Sequence, residues 1–253
     1  MMPLADYHVH TCYCDGENPP EEMVLAALKK GMTALGFSGH SHMAFDEDWN
    51  MNAETAAQYR AEIARLKEQY AGQIEILCGV EQDIFSDAPT EGYDYVIGSV
   101  HYVKTGGEYA CIDLSREDFR RGAETFFGGD FYAFADSYFD TLTRVADATG
   151  CGIIGHFDLF AKFNGGGDLF DESHPRYVAA WQKAADALLK SGKVFEVNTG
   201  AIARGYRTEP YPAAPIFRYL RERGARFILS SDSHSADTLC FAFEKWAQLY
   251  GLC

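Results

Sequence analysis

The stretch Arg226-Phe-Ile-Leu-Ser-Ser-Asp232-Ser-His234 shows the pattern that identifies the fold class. A short apolar, β-prone run ends in ionisable side chains, and a segment with helical spacing comes next. Repetition of this unit along a chain is typical of βα units that build a parallel sheet. The sequence contains seven such runs, at residues 6–10, 34–40, 74–83, 93–101, 152–158, 194–200 and 226–232.

Six segments with helical spacing lie between or after these runs. Several are bounded by helix signals, such as Pro20 near a start and Gly31 and Gly192 just after an end. Residues 102–134 break the alternation, and we interpret them as an insertion beside the active-site mouth that contains a short helix. The short helix within the insertion is predicted at residues 115–127. The six other helices are predicted at residues 20–30, 52–70, 135–149, 175–191, 212–223 and 237–250.

Composition favours one domain in a reducing compartment. The chain has 253 residues, of which 47% are hydrophobic, so we expect a single domain over residues 1–253. The N-terminal stretch lacks the pattern of a signal peptide, and no stretch approaches the roughly 20 apolar residues of a membrane span. Seven scattered cysteines fit the cytoplasm. A net charge of -15 argues against nucleic acid as a partner.

Histidines and carboxylates lie at the C-terminal ends of most of the predicted strands. His8 and His10 are two residues apart on the first run, so their side chains point to the same face. In a barrel of parallel strands the C-terminal ends converge on one face, where enzymes of this architecture place their catalytic groups. We therefore predict one polar site at that face. The other residues at strand ends are His40, Glu81, His101, His156, Asp232 and His234.

This set of side chains favours a cluster of divalent metal ions. Imidazole and carboxylate suit zinc, iron or manganese, and the set needs no thiolate. With Asp15 added, it is too large for one ion and could fill two or three sites, with a carboxylate bridging two of them. Water between such ions would be acidified and could attack a phosphorus or carbonyl centre. Cys12 and Cys14 are interpreted as small hydrophobic residues.

The combined motifs resemble the polymerase and histidinol phosphatase (PHP) family. The match spans nearly the whole chain, and its specificity lies in the combination, because each motif alone is short. The resemblance implies a distorted (β/α)7 TIM-like barrel with two or three metal ions at the C-terminal ends of the strands. The matching positions are His8 and His10 in HVH, Asp15, His40, Glu81 in GVE, His101 in GSVH, His156 in GHFD, and Asp232 and His234 in DSH.

The resemblance also implies how the ions are shared and what attacks the substrate. The attacking species would be a metal-bridging hydroxide. Asp232 would orient this hydroxide and could take its proton, which makes Asp232 a catalytic residue as well as a ligand. One ion would be held by His8, His10, Glu81 and Asp232, a second by Glu81, His101 and His156, and a third by Asp15, His40 and His234.

Phosphate contacts are predicted from the same resemblance. The segment at residues 196–212 is similar to one in histidinol phosphatases where an arginine grips the phosphate, and Arg204 is the first candidate, with Arg207 the alternate. The planar fork of arginine can hold two phosphate oxygens. Lys162 stands where some family members have a second such arginine, and it keeps the charge without the bidentate geometry. His42 could face the same pocket, and a solvated loop histidine fits equally well.

We therefore expect a phosphomonoester hydrolase for a small phosphorylated metabolite, with L-histidinol phosphate as the favoured substrate. The alternatives are a phosphatase for another metabolite, a phosphodiesterase or nuclease on the same scaffold, and a noncatalytic metal-binding protein. The aromatic residues between Phe126 and Phe139 could form a lid over a substrate ring, but core packing is the favoured interpretation. The sequence leaves open the metal identity, the number of ions and the oligomeric state.

Overall fold

The computed structural model describes residues 4–252 of the chain. Its main sheet is built from seven parallel strands, as the alternation of apolar runs and helices predicts. Each strand overlaps one of the seven predicted runs. The strands are β1 (Ala5–Asp6), β2 (Ala34–Phe37), β3 (Glu75–Asp83), β4 (Tyr95–Ser99), β7 (Ile153–Ile154), β8 (Val194–Asn198) and β9 (Arg226–Ser230).

The sheet curls into a nearly closed barrel. The strands pair in the order β1-β2-β3-β4-β7-β8-β9, and a parallel bridge joins Val9, after β1, to Ser233, after β9. The amide of His10 donates to the carbonyl of Ser233 at 2.8 Å, and the Asp6 carboxylate accepts the amide of Ser231 at 3.0 Å. Strand lengths range from two residues in β1 to nine in β3, so the barrel is irregular. The predicted single-domain, distorted (β/α)7 barrel is confirmed.

Most predicted runs extend past the observed strands at their C-terminal ends, whereas β3 ends at Asp83 as predicted. β1 ends at Asp6 and β7 at Ile154, whereas the sequence predicts runs to residues 10 and 158. The residues beyond include His8, His10 and His156, which lie outside the regular strands at the barrel mouth. Isolated backbone hydrogen bonds still hold His8 and His10 to Ser233, whereas the amide of His156 donates to the carboxylate of Glu196.

Helices cover the outside of the barrel, and most begin and end within a few residues of their predicted bounds. The last one starts late, because Cys240 and Ala242 have left-handed backbone conformations with φ of 54° and 55°. No helix within residues 4–252 is long and apolar enough to cross a bilayer. The helices are α1 (Pro20–Lys29), α2 (Ala53–Gln69), α3 (Arg116–Phe127), α4 (Phe131–Leu142), α5 (Val145–Thr149), α6 (Pro175–Leu189), α7 (Gly200–Ala203), α8 (Ala214–Glu222) and α9 (Phe243–Tyr250).

The prediction of a single helix at residues 135–149 is wrong, because α4 begins before this range and ends within it, and a separate helix, α5, follows. Helix α4 begins at Phe131, since the carboxylate of Asp130 accepts the amides of Tyr132 at 2.9 Å and Ala133 at 3.1 Å. The helix ends where the hydroxyl of Thr143 donates to a backbone carbonyl in the preceding turn at 2.6 Å. The sequence pattern alone did not reveal this cap or this break.

Residues 102–134 form a small substructure beside the barrel mouth. They contain an antiparallel hairpin, β5 (Tyr102–Thr105) and β6 (Glu108–Cys111), followed by α3. The helix predicted at residues 115–127 is confirmed, with Ser115 capping it by accepting the amide of Asp118 at 3.0 Å. The interpretation of the segment as an insertion stays a prediction.

The aromatic residues of α4 belong to the hydrophobic core. Phe134, Tyr138 and Phe139 are at most 1% exposed. The ring of Phe160 lies 5.1 Å from that of Phe134 and 5.6 Å from that of Tyr138. These contacts bear out core packing rather than a substrate lid as the use of this cluster.

Candidate metal centre

The C-terminal mouth of the barrel brings together all nine predicted metal ligands. Their donor atoms form four overlapping groups, and the atoms within each group lie within 4.8 Å of one another. Seven of the nine residues are buried, while Asp15 and His234 lie nearer to solvent. The groups are His10, Asp15, His40 and His234; His8, Glu81 and His156; His8, His10 and Asp232; and His40, Glu81 and His101.

Glu81 lies at the centre of the cluster and turns each carboxylate oxygen toward different histidines. Oε1 lies 2.8 Å from Nε2 of His156 and 3.3 Å from Nε2 of His101. Oε2 lies 3.0 Å from Nδ1 of His40 and 3.2 Å from Nε2 of His8. A carboxylate that faces donors on both sides is suited to bridge neighbouring ions. The shared position that the family resemblance implies for Glu81 stays a prediction.

Asp15 organises a second group of donors nearer to solvent. Its Oδ2 lies 3.1 Å from Nε2 of His234 and 3.5 Å from Nε2 of His40. Its Oδ1 lies 3.4 Å from Nδ1 of His10. His10 thus joins the three residues predicted for a third ion, and its Nε2 faces the deeper part of the cluster, 3.3 Å from Oδ1 of Asp232.

Asp232 reaches the cluster through an unusual backbone conformation. Its φ of 50° lies in the left-handed region, which non-glycine residues rarely adopt. Gly200 makes room for it, because a Cβ atom at that position would lie 2.9 Å from Cβ and Oδ2 of Asp232. Such local strain is often found where a side chain must be aimed at a functional site.

Several buried polar atoms at this site fit the coordination of divalent cations. Nε2 of His8, Nε2 of His10 and Oε2 of Glu81 are buried and make no well-directed hydrogen bond, although Oε2 lies 3.2 Å from the first nitrogen and 3.5 Å from the second. Leaving a buried polar atom unsatisfied costs about 1–3 kcal/mol. Imidazole nitrogen and carboxylate oxygen are ordinary ligands of zinc, iron and manganese, and here they point into one volume. The donor set therefore fits these metals.

The carboxylates raise the pKa of three clustered histidines, His8, His40 and His101. Burial lowers the pKa of His8, but the charges of Glu196 and Glu81 outweigh burial and place this pKa well above its ordinary value. In His40 burial also acts to lower the pKa, but Asp15 and Glu81 prevail and raise it to about 9. Metal ions must therefore displace protons from these rings.

Glu196 is a candidate site residue that the sequence analysis did not assign. It is fully buried on β8, and its Oε2 lies 2.8 Å from Nδ1 of His8 and accepts the hydroxyl of Ser230 at 2.6 Å. Its Oε1 accepts the side-chain amide of Asn198 at 2.9 Å. The pair turns Nε2 of His8 toward the cluster, as carboxylates behind metal-binding histidines commonly do. The available signal was a glutamate within the apolar run Val-Phe-Glu-Val.

Asp83 makes a similar pair with His101. Its Oδ2 lies 3.1 Å from Nδ1 of His101 and accepts the amide of the same residue at 2.9 Å. Asp83 is two residues after Glu81 on β3, so both carboxylates point to the same face of the sheet. That spacing is the sequence signal that could have identified Asp83.

A cavity of about 420 Å³ opens over the cluster and contains two predicted phosphate contacts, Arg204 and Lys162. Nη2 of Arg204 lies 3.0 Å from Oδ2 of Asp232, and its Nη1 lies 2.8 Å from Nδ1 of His234. Lys162 forms an ion pair with Asp113 and donates to its carbonyl at 3.0 Å. Both side chains place positive charge beside the metal-type donors.

The structure does not bring Arg207 or His42 to this cavity. The side chain of Arg207 is 4% exposed, and its Nη1 lies 2.8 Å from Glu172 and donates to the carbonyl of Ala161 at 2.8 Å. Nε2 of His42 faces Glu47 at 3.6 Å. Both residues lie in irregular segments, where sequence spacing does not determine the direction of a side chain. Arg204 is therefore the arginine that lies at the cluster.

Known proteins resemble this chain over nearly its whole length. A family model for the PHP domain matches residues 6–200. The "Probable histidinol-phosphatase" of Deinococcus radiodurans is 32% identical, over 96% of this chain and 91% of that protein. The histidinol-phosphatase of Bacillus subtilis is 25% identical, over 98% of this chain and 99% of that protein.

Two solved structures have the same fold. HisK from Listeria monocytogenes has a TM-score of 0.83 and 20% identity, over 96% of this chain and 99% of that one. HisK from Lactococcus lactis, complexed with zinc, L-histidinol and phosphate, has a TM-score of 0.67 and 21% identity, over 98% of this chain and 92% of that one. The barrel, the match of the family model and the relative at 32% identity lead to one conclusion: this chain belongs to the PHP domain family.

Proposed function

We propose that this protein is a metal-dependent phosphatase that hydrolyses L-histidinol phosphate to L-histidinol and phosphate. The observation that carries the proposal is the convergence of nine metal-type donors with Arg204 at one cavity. The relatives named histidinol-phosphatase support this substrate, since the alignments cover nearly their whole length. We also infer a cytoplasmic location, because the six cysteines within residues 4–252 are free thiols.

Two or three divalent ions, zinc, iron or manganese, fit the donor set. When bound, they would polarise the phosphate and lower the pKa of the attacking water. Glu196 and Asp83 would orient the rings behind the ligands. His8, His10, Glu81 and Asp232 would hold one ion, Glu81, His101 and His156 a second, and Asp15, His40 and His234 a third.

Arg204 is the proposed anchor for the phosphate. Its side chain is 29% exposed and borders the cavity, so an incoming phosphate oxygen can reach the guanidinium. Charge-assisted pairing with phosphate is strong because two parallel N–H groups can donate at once. Lys162 adds a second positive charge at the same cavity, shared with Asp113.

Asp232 is the proposed proton acceptor. Burial raises its pKa, but Arg204 and His8 outweigh burial and hold this pKa well below its ordinary value. When the guanidinium of Arg204 also pairs with a bound phosphate, its interaction with Asp232 weakens and the proton affinity of this carboxylate rises. The same arginine would thus bind the substrate and prepare Asp232 to take a proton from water.

The test is an assay of phosphate release by protein loaded with zinc or manganese, with its metal content measured by elemental analysis. We expect L-histidinol phosphate to be hydrolysed faster than other monoesters and faster than a phosphodiester, and a chelator to abolish the activity. Faster turnover of the diester would favour a phosphodiesterase. Metal-loaded protein that releases phosphate from no monoester would refute the proposal.

A further inference from the structure

The loop at residues 41–50, called the 41–50 loop, begins and ends beside the metal centre. The amide of Met51 donates to the carbonyl of His40 at 3.1 Å, which closes the base of the loop. Within it, the side-chain carbonyl of Asn50 accepts the amide of Met43 at 3.2 Å. A compact loop with adjacent ends is an Ω-loop, a form that frequently carries function.

The 41–50 loop packs against the β5–β6 hairpin through aromatic contacts and hydrogen bonds. The rings of Phe45 and Tyr109 are stacked with centroids 3.7 Å apart. The hydroxyl of Tyr102 donates to the carboxylate of Asp46 and accepts Nε1–H of Trp49 at 3.2 Å. These contacts join elements that are distant in sequence and hold Trp49 in one orientation.

Trp49 borders the metal cluster and the cavity. Its ring centroid lies 4.4 Å from that of His40 and 5.5 Å from that of His101, and its side chain lines the cavity. Since Tyr102 already accepts the single N–H donor of the indole, Trp49 offers the cavity its carbon surface rather than a hydrogen bond. Asp48, the neighbouring residue, lines the same cavity with a carboxylate.

We propose that Trp49 determines the specificity for the alcohol part of the substrate, by packing its indole against a flat aromatic ring. The inference rests on the proposed phosphatase function, which places the phosphate between the metal donors and Arg204. An alcohol esterified to that phosphate lies within reach of a side chain that contacts His40 and His101. An indole face packs favourably against planar rings, and the carboxylate of Asp48 supplies a separate attraction for positive charge.

This role makes a different prediction from simple packing around the metal ligands. A Trp49 that only supported His40 would affect every phosphate ester equally, together with metal content. A Trp49 that contacts the leaving group discriminates between esters by their alcohol. The comparison therefore uses two substrates, L-histidinol phosphate, which carries an imidazole ring, and ethanolamine phosphate, which carries an ammonium group and no ring.

The kinetic test uses Trp49→Ala and Trp49→Phe in metal-loaded protein, with Trp181→Phe as the matched control. Trp181 is buried on α6 and packs against Tyr219, with ring centroids 5.1 Å apart. We expect Trp49→Ala to raise KM for L-histidinol phosphate about tenfold, with little change in kcat, in metal content or in KM for ethanolamine phosphate. Trp49→Phe should recover part of the loss. An equal loss on both esters would overturn the inference.

A binding measurement separates this inference from the proposed function. L-Histidinol added with phosphate to metal-loaded protein should change the indole fluorescence of the wild type and of Trp181→Phe, but not of Trp49→Phe. Wild type that hydrolyses L-histidinol phosphate without this fluorescence change would overturn the role of Trp49 and leave the phosphatase intact. Wild type that releases no phosphate from any monoester would overturn both.

Discussion

Nδ1 of His8 lies 2.8 Å from Oε2 of Glu196, and both side chains are fully buried. Nε2 of the same ring lies 3.2 Å from Glu81, at the centre of the donor cluster. Glu196 therefore determines which nitrogen of His8 faces the metal site. Burial raises the pKa of Glu196, but the charge of His8 outweighs it and keeps the carboxyl group ionised.

Substitution of Glu196 should weaken metal binding. Glu196→Gln keeps the shape but removes the charge behind His8, and we expect metal affinity to fall about 10- to 100-fold, with a larger fall for Glu196→Ala. Competition with a chelator, followed by elemental analysis, measures the affinity. Glu75→Gln, at the exposed start of β3, is the matched control. Unchanged affinity in both Glu196 variants would mean that the pair does not orient a ligand.

Substitution of Arg204 should affect phosphate binding, whereas substitution of Arg207 should affect stability. Arg204→Ala removes a charge-assisted contact with phosphate, so KM should rise about 10- to 100-fold while the metal content stays constant. Arg207→Ala removes a buried pair with Glu172 and should lower the free energy of unfolding by about 1–3 kcal/mol, with phosphate affinity retained. Kinetics and thermal unfolding of both variants check this. The reverse pattern would assign phosphate binding to Arg207.

Metal binding should strengthen as pH rises. The pKa of His40 is raised to about 9 in the metal-free protein, so metal ions displace a proton from it at neutral pH, and their apparent affinity should increase up to about that value. The stability of the metal-free fold should change in the opposite direction and decrease as pH rises. The raised pKa of His40 contributes stability below about pH 6.5 that is lost as pH rises through about 9.

Chelator competition at several pH values measures the first trend, and thermal unfolding of chelator-treated protein measures the second. Metal affinity that is independent of pH between about 6.5 and about 9 would contradict the assignment of His40 as a protonated group in the metal-free state.

Gly200→Ala should damage the active site without unfolding the protein. Its Cβ would lie 2.9 Å from Asp232, which would have to move, and a displacement of this kind can lower kcat about a hundredfold. Gly152→Ala is the matched control, because a Cβ there meets no atom within 4 Å. The measurements are kcat and the melting temperature of both variants. Full activity in Gly200→Ala would show that the close packing against Asp232 is dispensable.

Much of the site was predictable because the ligands close strands in a recurring pattern. His101 and His156 each follow a short apolar run, and parallel strands bring such positions to one face. Glu196 and Trp49 were not predictable in the same way. Glu196 acts on a residue 188 positions away, and Trp49 lies in a loop without a period. The helix predicted at residues 135–149 was wrong because the Asp130 cap is a local contact that periodicity does not report.

Sequence patterns predicted the parallel strands and the donor set headed by His8 and His10, and the family resemblance implied the barrel. Period-2 strands specify which side chains share a face, and residue chemistry specifies what they can bind. Tertiary contacts place Glu196 behind His8, Arg204 rather than Arg207 beside the cavity, and Trp49 in part of the cavity wall. These relationships depend on the packing of segments remote in sequence, and local patterns carry no record of that packing.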